Sequence, residues 1–105
     1  MTRILVLGDV FGRAGLEAVE GHVPRLREEL DLDLVVANGE NVADGAGITE
    51  RLGKRLLASG VDCLTLGNHT WRRQGVGLFL DRDERVVRPA NMLDRLPGRG
   101  LAVVA

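Results

Sequence analysis

The stretch Ile4-Leu5-Val6-Leu7-Gly8-Asp9-Val10-Phe11-Gly12 decides how the rest of the chain is read. Four consecutive apolar residues closed by a glycine leave no polar face, which is the pattern of a strand buried on both sides. Downstream, Leu16, Val19, Val23, Leu26 and Leu30 recur in steps of three and four, and that spacing predicts a helix with one apolar stripe. Pro24 falls inside the stripe and is expected to kink or divide the helix, because it lacks the amide hydrogen that the helix ladder needs.

The same unit then recurs. Residues 32–37 form a second apolar run. Thr49 is a suitable N-cap for a helix carrying Leu52, Leu56 and Leu57, and Gly60 suits a left-handed position at its end. Residues 63–66 read as a third strand, residues 76–80 as a short helix and residues 85–88 as a short fourth strand. Alternation of apolar strands with helices predicts an α/β fold. We expect three to five mostly parallel strands joined by right-handed crossovers, with helices on both faces. Residues 101–105 look like the start of another buried strand. The chain therefore reads as one domain over residues 1–105, and as a piece of something larger.

Composition narrows the functional classes. With 14 basic and 15 acidic residues the formal net charge is -1. That balance argues against a broad electrostatic footprint for duplex nucleic acid or anionic membrane, and it leaves room for a small phosphate-bearing ligand in a local site. No apolar run approaches bilayer length. Residues 1–3 pass straight into the first strand without the features of a signal peptide. The lone Cys63 lies inside an apolar strand and forms no disulfide framework, so it reads as a buried thiol in a reducing compartment, with the cytoplasm as the expected location.

Three glycine-bearing segments follow the three strands: Gly8-Asp9-Val10-Phe11-Gly12, Asn38-Gly39-Glu40-Asn41 and Gly67-Asn68-His69-Thr70-Trp71. In a parallel sheet all three lie outside the carboxyl ends of the strands, where open α/β folds place their ligands. Asp9 and Glu40 are then like charges at short range, a conflict that a divalent cation removes. Carboxylate, amide oxygen and imidazole together suit Mn, Fe, Mg or Zn, and Asn41 and Asn68 add neutral oxygen donors. Two cations on a bridging carboxylate clamp a phosphoryl group and supply a hydroxide nucleophile at neutral pH. His69, next to Asn68, is placed to donate a proton to the departing alkoxide.

These motifs, with Gly45-Ala46-Gly47-Ile48-Thr49 and Arg88-Pro89-Ala90-Asn91, resemble the YmdB-like metallophosphoesterases of the calcineurin-like superfamily, in family order and over essentially the whole chain. The resemblance implies the N-terminal part of a metallophosphoesterase α/β sandwich holding two divalent cations, with Fe or Mn ahead of Mg or Zn. It implies Asp9 on one metal, Glu40 bridging both, Asn41 and Asn68 on the second, and His69 as proton donor. The implied reaction is phosphodiester hydrolysis, with cyclic nucleotides such as 2',3'-cyclic AMP as substrate and an RNA substrate as the variant. Phe11 occupies the place of the superfamily's first-motif histidine, which is a habit of the YmdB-like branch. The family completes its site with three later histidines that these 105 residues do not contain. A catalytically incomplete metal- or nucleotide-binding module, or a regulatory one, is therefore the alternative.

Other classes fit less well. Gly8, Gly12 and Gly15 lack the dinucleotide-binding spacing. Val10 stands where a Gly-Asp-Ser esterase carries its nucleophile, and the single lysine, Lys54, is in a predicted helix rather than on the late strand of a receiver domain. Among the remaining polar residues, Asn38 is expected to brace its loop and His22 to be a solvated helix residue. Arg72 and Arg73 read as a solvated face, Trp71 as core packing ahead of stacking on a substrate base, and Arg88 as an ion-pair partner or a substrate or subunit contact; Thr70 is unassigned. Exposed sheet edges invite self-association into a homo-oligomer.

Overall fold

The computed structural model describes residues 1–104. Strand β1 (Ile4–Asp9) leads into helix α1 (Gly12–Glu29), followed by β2 (Leu34–Asn38), α2 (Glu50–Ala58), β3 (Cys63–Thr65), α3 (Val76–Arg82) and β4 (Val86–Val87). The four strands form one parallel sheet in the order β1-β2-β3-β4.

Register and strand alternation together sort the side chains. Leu5 pairs with Val35, Leu7 with Ala37, Ala37 with Leu64 and Leu64 with Val86, so these residues share one face. They form a single apolar cluster with Leu16, Val19 and Val23 of α1, Leu56 and Leu57 of α2, and Val76, Phe79 and Leu80 of α3. Strands laid down in sequential order with right-handed crossovers bring every helix to the same side. The expectation of helices on both faces is thus corrected: the described helices gather on one. The other face carries Ile4, Val6, Leu34, Val36, Cys63, Thr65 and Val87, and there Val6 is 71% exposed.

Three further expectations change. Helix α1 runs unbroken through Pro24, whose exposed position confines its cost to one lost ladder bond while Val19 and Val23 hold the stripe in the core. Residues 101–104 form no strand; Leu101 and Val103 stand exposed and pair with no neighbour, and Ala105 lies outside the described residues. The second strand starts at Leu34 rather than at residue 32, because the Leu32 amide is committed to Arg27 O at the end of α1 and Asp31 takes a left-handed turn conformation.

Helix α2 follows its sequence signals closely. Thr49 Oγ1 accepts from the Leu52 amide, and Gly60, just past the C-cap, has φ +108°. No helix among the described residues is long and apolar enough to cross a membrane.

Candidate active site

Each strand hands its loop to the same edge of the sheet. At the end of β1 the register slips, with Leu7 opposite Ala37 and Asp9 opposite the very next residue, Asn38. Gly8 is the extra residue of a β-bulge, a device that re-aims the following side chain. The Val10 amide then bonds Asn38 O and the Gly12 amide bonds Asn41 O, so the first loop is sewn to the second by its backbone.

Across these loops four of the expected residues meet. Asn41 Nδ2 donates to Asp9 Oδ1 at 2.9 Å, and His69 Nδ1 is bonded to Asn41 Oδ1. The His69 amide reaches Glu40 Oε2 at 3.4 Å. Asn38 braces Glu40 from both sides, donating from Nδ2 to Oε1 at 3.1 Å and accepting the Glu40 amide on Oδ1 at 3.2 Å. Asp9, Glu40, Asn41 and His69 are therefore linked through direct contacts. Asn68 stands at the same edge but is exposed, and its side chain makes no hydrogen bond among the described residues.

Neither Asp9 nor Glu40 has an ion-pair partner among the described residues; Asp62, Asp83, Glu17, Glu20, Glu29 and Glu50 have one, and the other seven acidic residues do not. The two carboxylates, oriented by the amide nitrogens of Asn41 and Asn38, supply oxygen donors suited to a hard or borderline divalent cation. The described residues contain no cluster of three His, Cys, Asp or Glu placed to hold a metal, and His69 Nδ1 is bonded to Asn41. The residues present thus fit part of a metal centre.

Glycines make the packing possible. A Cβ on Gly67 would lie 2.5 Å from Glu40 Oε2 and 2.7 Å from its Cδ, so the glycine reserves room for that carboxylate. Gly45, at φ +86°, lies against the Phe11 ring, where a Cβ would come within 2.5 Å of Cζ.

Several residues have other roles than the sequence suggested. Arg73 is no solvated side chain: it donates from Nε to Ala46 O at 2.8 Å and from Nη2 to Ala43 O at 2.7 Å. Thr70 is fully buried and donates to Gly67 O at 2.5 Å, closing the turn that carries Asn68 and His69. Trp71 is 38% exposed and outside the core. Arg88, 5% exposed, pairs with no carboxylate and donates instead to the carbonyls of Pro97, Pro89 and Leu96. A hydroxyl three residues past a glycine was the only available signal for Thr70, and nothing local marked Arg73. Cys63 is buried, and burial, followed by the nearby Asp62 charge, pushes its thiol pKa up, which makes it a poor nucleophile.

The model of the family described as YmdB-like protein matches residues 5–105. The chain belongs to this family. A Bacillus subtilis (strain 168) relative named 2',3'-cyclic-nucleotide 2'-phosphodiesterase is 41% identical over 102 residues, covering 97% of this chain and 39% of the relative. Among solved structures, a hypothetical protein from Thermus thermophilus superposes with a TM-score of 0.86 at 44% identity, over 94% of this chain and 38% of that one. A Mycoplasma pneumoniae protein described as a novel phosphatase gives a TM-score of 0.86 at 30% identity, over 94% of this chain and 37% of that one. The YmdB-like chain described here thus spans under two fifths of the length of these relatives.

Proposed function

We propose that this YmdB-like chain carries the amino-terminal part of a dinuclear-metal phosphoesterase site acting on phosphodiesters, with 2',3'-cyclic nucleotides as the substrate class. The observation that carries the reading is the meeting of Asp9, Glu40, Asn41 and His69 from three strand ends, with both carboxylates left without a cationic partner among the described residues. The name of the Bacillus subtilis relative supports the substrate class.

In this reading Asp9 and Glu40 hold divalent cations, Fe or Mn first, through carboxylate oxygens, with Asn68 reaching in from the third loop. When bound, such cations neutralise phosphoryl charge and acidify water. Asn41 has a double task. Its Nδ2 is committed to Asp9, which fixes the amide orientation and turns Oδ1 toward His69 Nδ1. A carbonyl-type oxygen only accepts, so the Nδ1 atom carries the hydrogen. The Nε2 atom is then the one that gives a proton to a leaving oxygen when the ring is an imidazolium, and that accepts one when the ring is neutral. Asn41 meets a cation only through its remaining lone pair or by turning its amide.

A second reading, a metal-binding module without turnover, is favoured by one observation: the described residues hold no three-donor cluster of His, Cys, Asp or Glu. One experiment separates the two. The chain, completed with the remaining portion of a full-length relative because these residues span under two fifths of the relatives' length, is titrated with Mn(II) and assayed for 2',3'-cyclic AMP hydrolysis beside Glu40→Gln and His69→Ala. The phosphoesterase reading expects Glu40→Gln to lose metal, and His69→Ala to keep metal while turnover falls by about 100-fold or more. Metal uptake with no hydrolysis supports the module. A His69→Ala variant that loses metal beside a harmless Glu40→Gln shows that the roles are misassigned.

A further inference from the structure

We propose that Arg73 is a positioning residue: its guanidinium latches the loop that carries Glu40 and Asn41 onto the loop that carries Asn68 and His69, and so sets the spacing of the donor atoms. The inference rests on the metal-site reading above and adds to it a residue outside the donor set.

The two loops need such a tie. Residues 39–48 and 66–75 contain no strand or long helix to stiffen them, and besides Arg73 the side-chain bonds between them are those His69 makes to Asn41 and Glu40, which are themselves site residues. The 43–46 segment is a tight turn in which the Ala46 amide bonds Ala43 O. Arg73 grips both ends of that turn, with Nε on Ala46 O and Nη2 on Ala43 O. These two donors lie on one edge of a rigid planar group, so the two bonds fix orientation as well as distance. The turn is in turn wired to the donor residues, since the Gly47 amide bonds Glu40 O and the Gly45 amide bonds Asn41 O. On the other side, Arg73 lies four residues past His69, and the Arg72 amide bonds His69 O.

A separate feature converges on the same contact. Gly47, at φ +90°, is seated against the arginine stem: a Cβ there would be 2.9 Å from both Arg72 Cβ and Arg73 Cγ. The backbone thus approaches Arg73 as closely as a glycine permits. Arg73 is half-buried and has no carboxylate partner among the described residues, so its hydrogen bonds to the loop are what the placement gains.

The test compares the chain with Arg73→Met, Arg73→Lys and, as control, Arg72→Met, whose residue is exposed. Three quantities are measured: Mn(II) affinity from the free-ion paramagnetic resonance signal, exchange of the Gly45 and Gly47 amides, and the unfolding midpoint. Arg73→Met is expected to weaken Mn(II) binding by about tenfold, the lower end for residues that support metal ligands from outside. It should also speed exchange at Gly45 and Gly47, and Arg72→Met should change neither. Arg73→Lys, with one nitrogen instead of a fork, restores part of the affinity, and it serves in place of Arg73→Met if that variant fails to fold. Faster exchange with unchanged Mn(II) affinity makes the contact purely structural and overturns the positioning role. Unchanged exchange overturns the latch itself. A wild-type chain that takes up no Mn(II) overturns the metal-site reading, and with it the latch's role toward metal, while the exchange data still decide whether Arg73 holds the loop.

Discussion

Replacing Gly67 with alanine should separate the stability of this chain from the integrity of its site. The added Cβ would stand 2.5 Å from Glu40 Oε2 and 2.7 Å from Cδ. Oε1 is nearer still, and ordinary contact begins near 3.4 Å, so the carboxylate has to retreat by roughly 0.7 to 1 Å against its repulsive wall. That retreat costs the fold little, because the atoms displaced are the end of a flexible side chain. Gly67 has no positive φ, so alanine adopts its backbone conformation and stiffens the unfolded chain, a gain of about 0.4–1 kcal/mol. Unfolding should accordingly be unchanged or slightly harder. The site should respond oppositely, since metal–ligand distances tolerate only about 0.2 Å and a misplacement near 1 Å costs about 100-fold in a reaction. Mn(II) titration and urea unfolding on the same preparation test both halves. Gly21→Ala, on the exposed side of α1, is the control, with no atom within 4 Å of its Cβ and no positive φ. Mn(II) affinity in Gly67→Ala equal to that of the control would refute the assignment of Glu40 as the group Gly67 makes room for.

Two further outcomes follow from the packing and the charges. Gly53→Ala adds a better helix former to α2, yet its Cβ would come within 2.5 Å of Phe79 Cζ in the core. Overpacking of this kind costs about 1–3 kcal/mol against the roughly 1 kcal/mol that alanine gains in a helix, so thermal unfolding should move down, and an upward shift would contradict the packing. Asp83 is held below the usual carboxylate range, first by the Arg85 side-chain hydrogen bond. A carboxyl lowered in the folded state contributes stability that is fully present above its ordinary value and is lost as pH falls through the folded value. Urea unfolding followed from about pH 5 to pH 2 should therefore show an acid loss that Asp83→Asn reduces, modestly because Arg85 is 54% exposed.

What the sequence displays and what it hides divide along physical lines. The strands at Ile4 and Cys63 and the cap of α2 depend on residues within a few positions of one another, and they were legible. So was the helix at Leu16, although Pro24 suggested a break. Its exposed ring lies on the side where the apolar stripe does not need the ladder. The order of strands is another matter. Apolar runs announce that strands are buried, but whether the fourth lies beside the third or returns past the first is decided by long-range pairing. That choice put all three described helices on one face. The same limit applies within the site. That Asp9, Glu40, Asn41, Asn68 and His69 share one sheet edge was readable because they follow glycines at strand ends. The bulge at Gly8, the space at Gly67 and the grip of Arg73 are relations between loops 27 to 30 residues apart, with no local signature.

Asp9 and Glu40 differ from the six acidic residues that pair with a cation, and share with seven others the lack of an ion-pair partner among the described residues. Six of the acidic residues on the body are neutralised by an arginine or lysine, three of them by a residue on the neighbouring turn of the same helix. Asp9 and Glu40 are instead surrounded by amides: Asn41 on Asp9, and Asn38 and the His69 backbone on Glu40. Amide donors orient a carboxylate without cancelling its charge. Arg73, which reaches into this loop system, directs its donors to the carbonyls of Ala43 and Ala46 rather than to either acid. Had it turned to Glu40 it would have formed an ordinary ion pair and occupied a coordination position. Its placement ties the loop that bears Glu40 and leaves both carboxylates without an ion pair, as the proposed cation-binding edge would need.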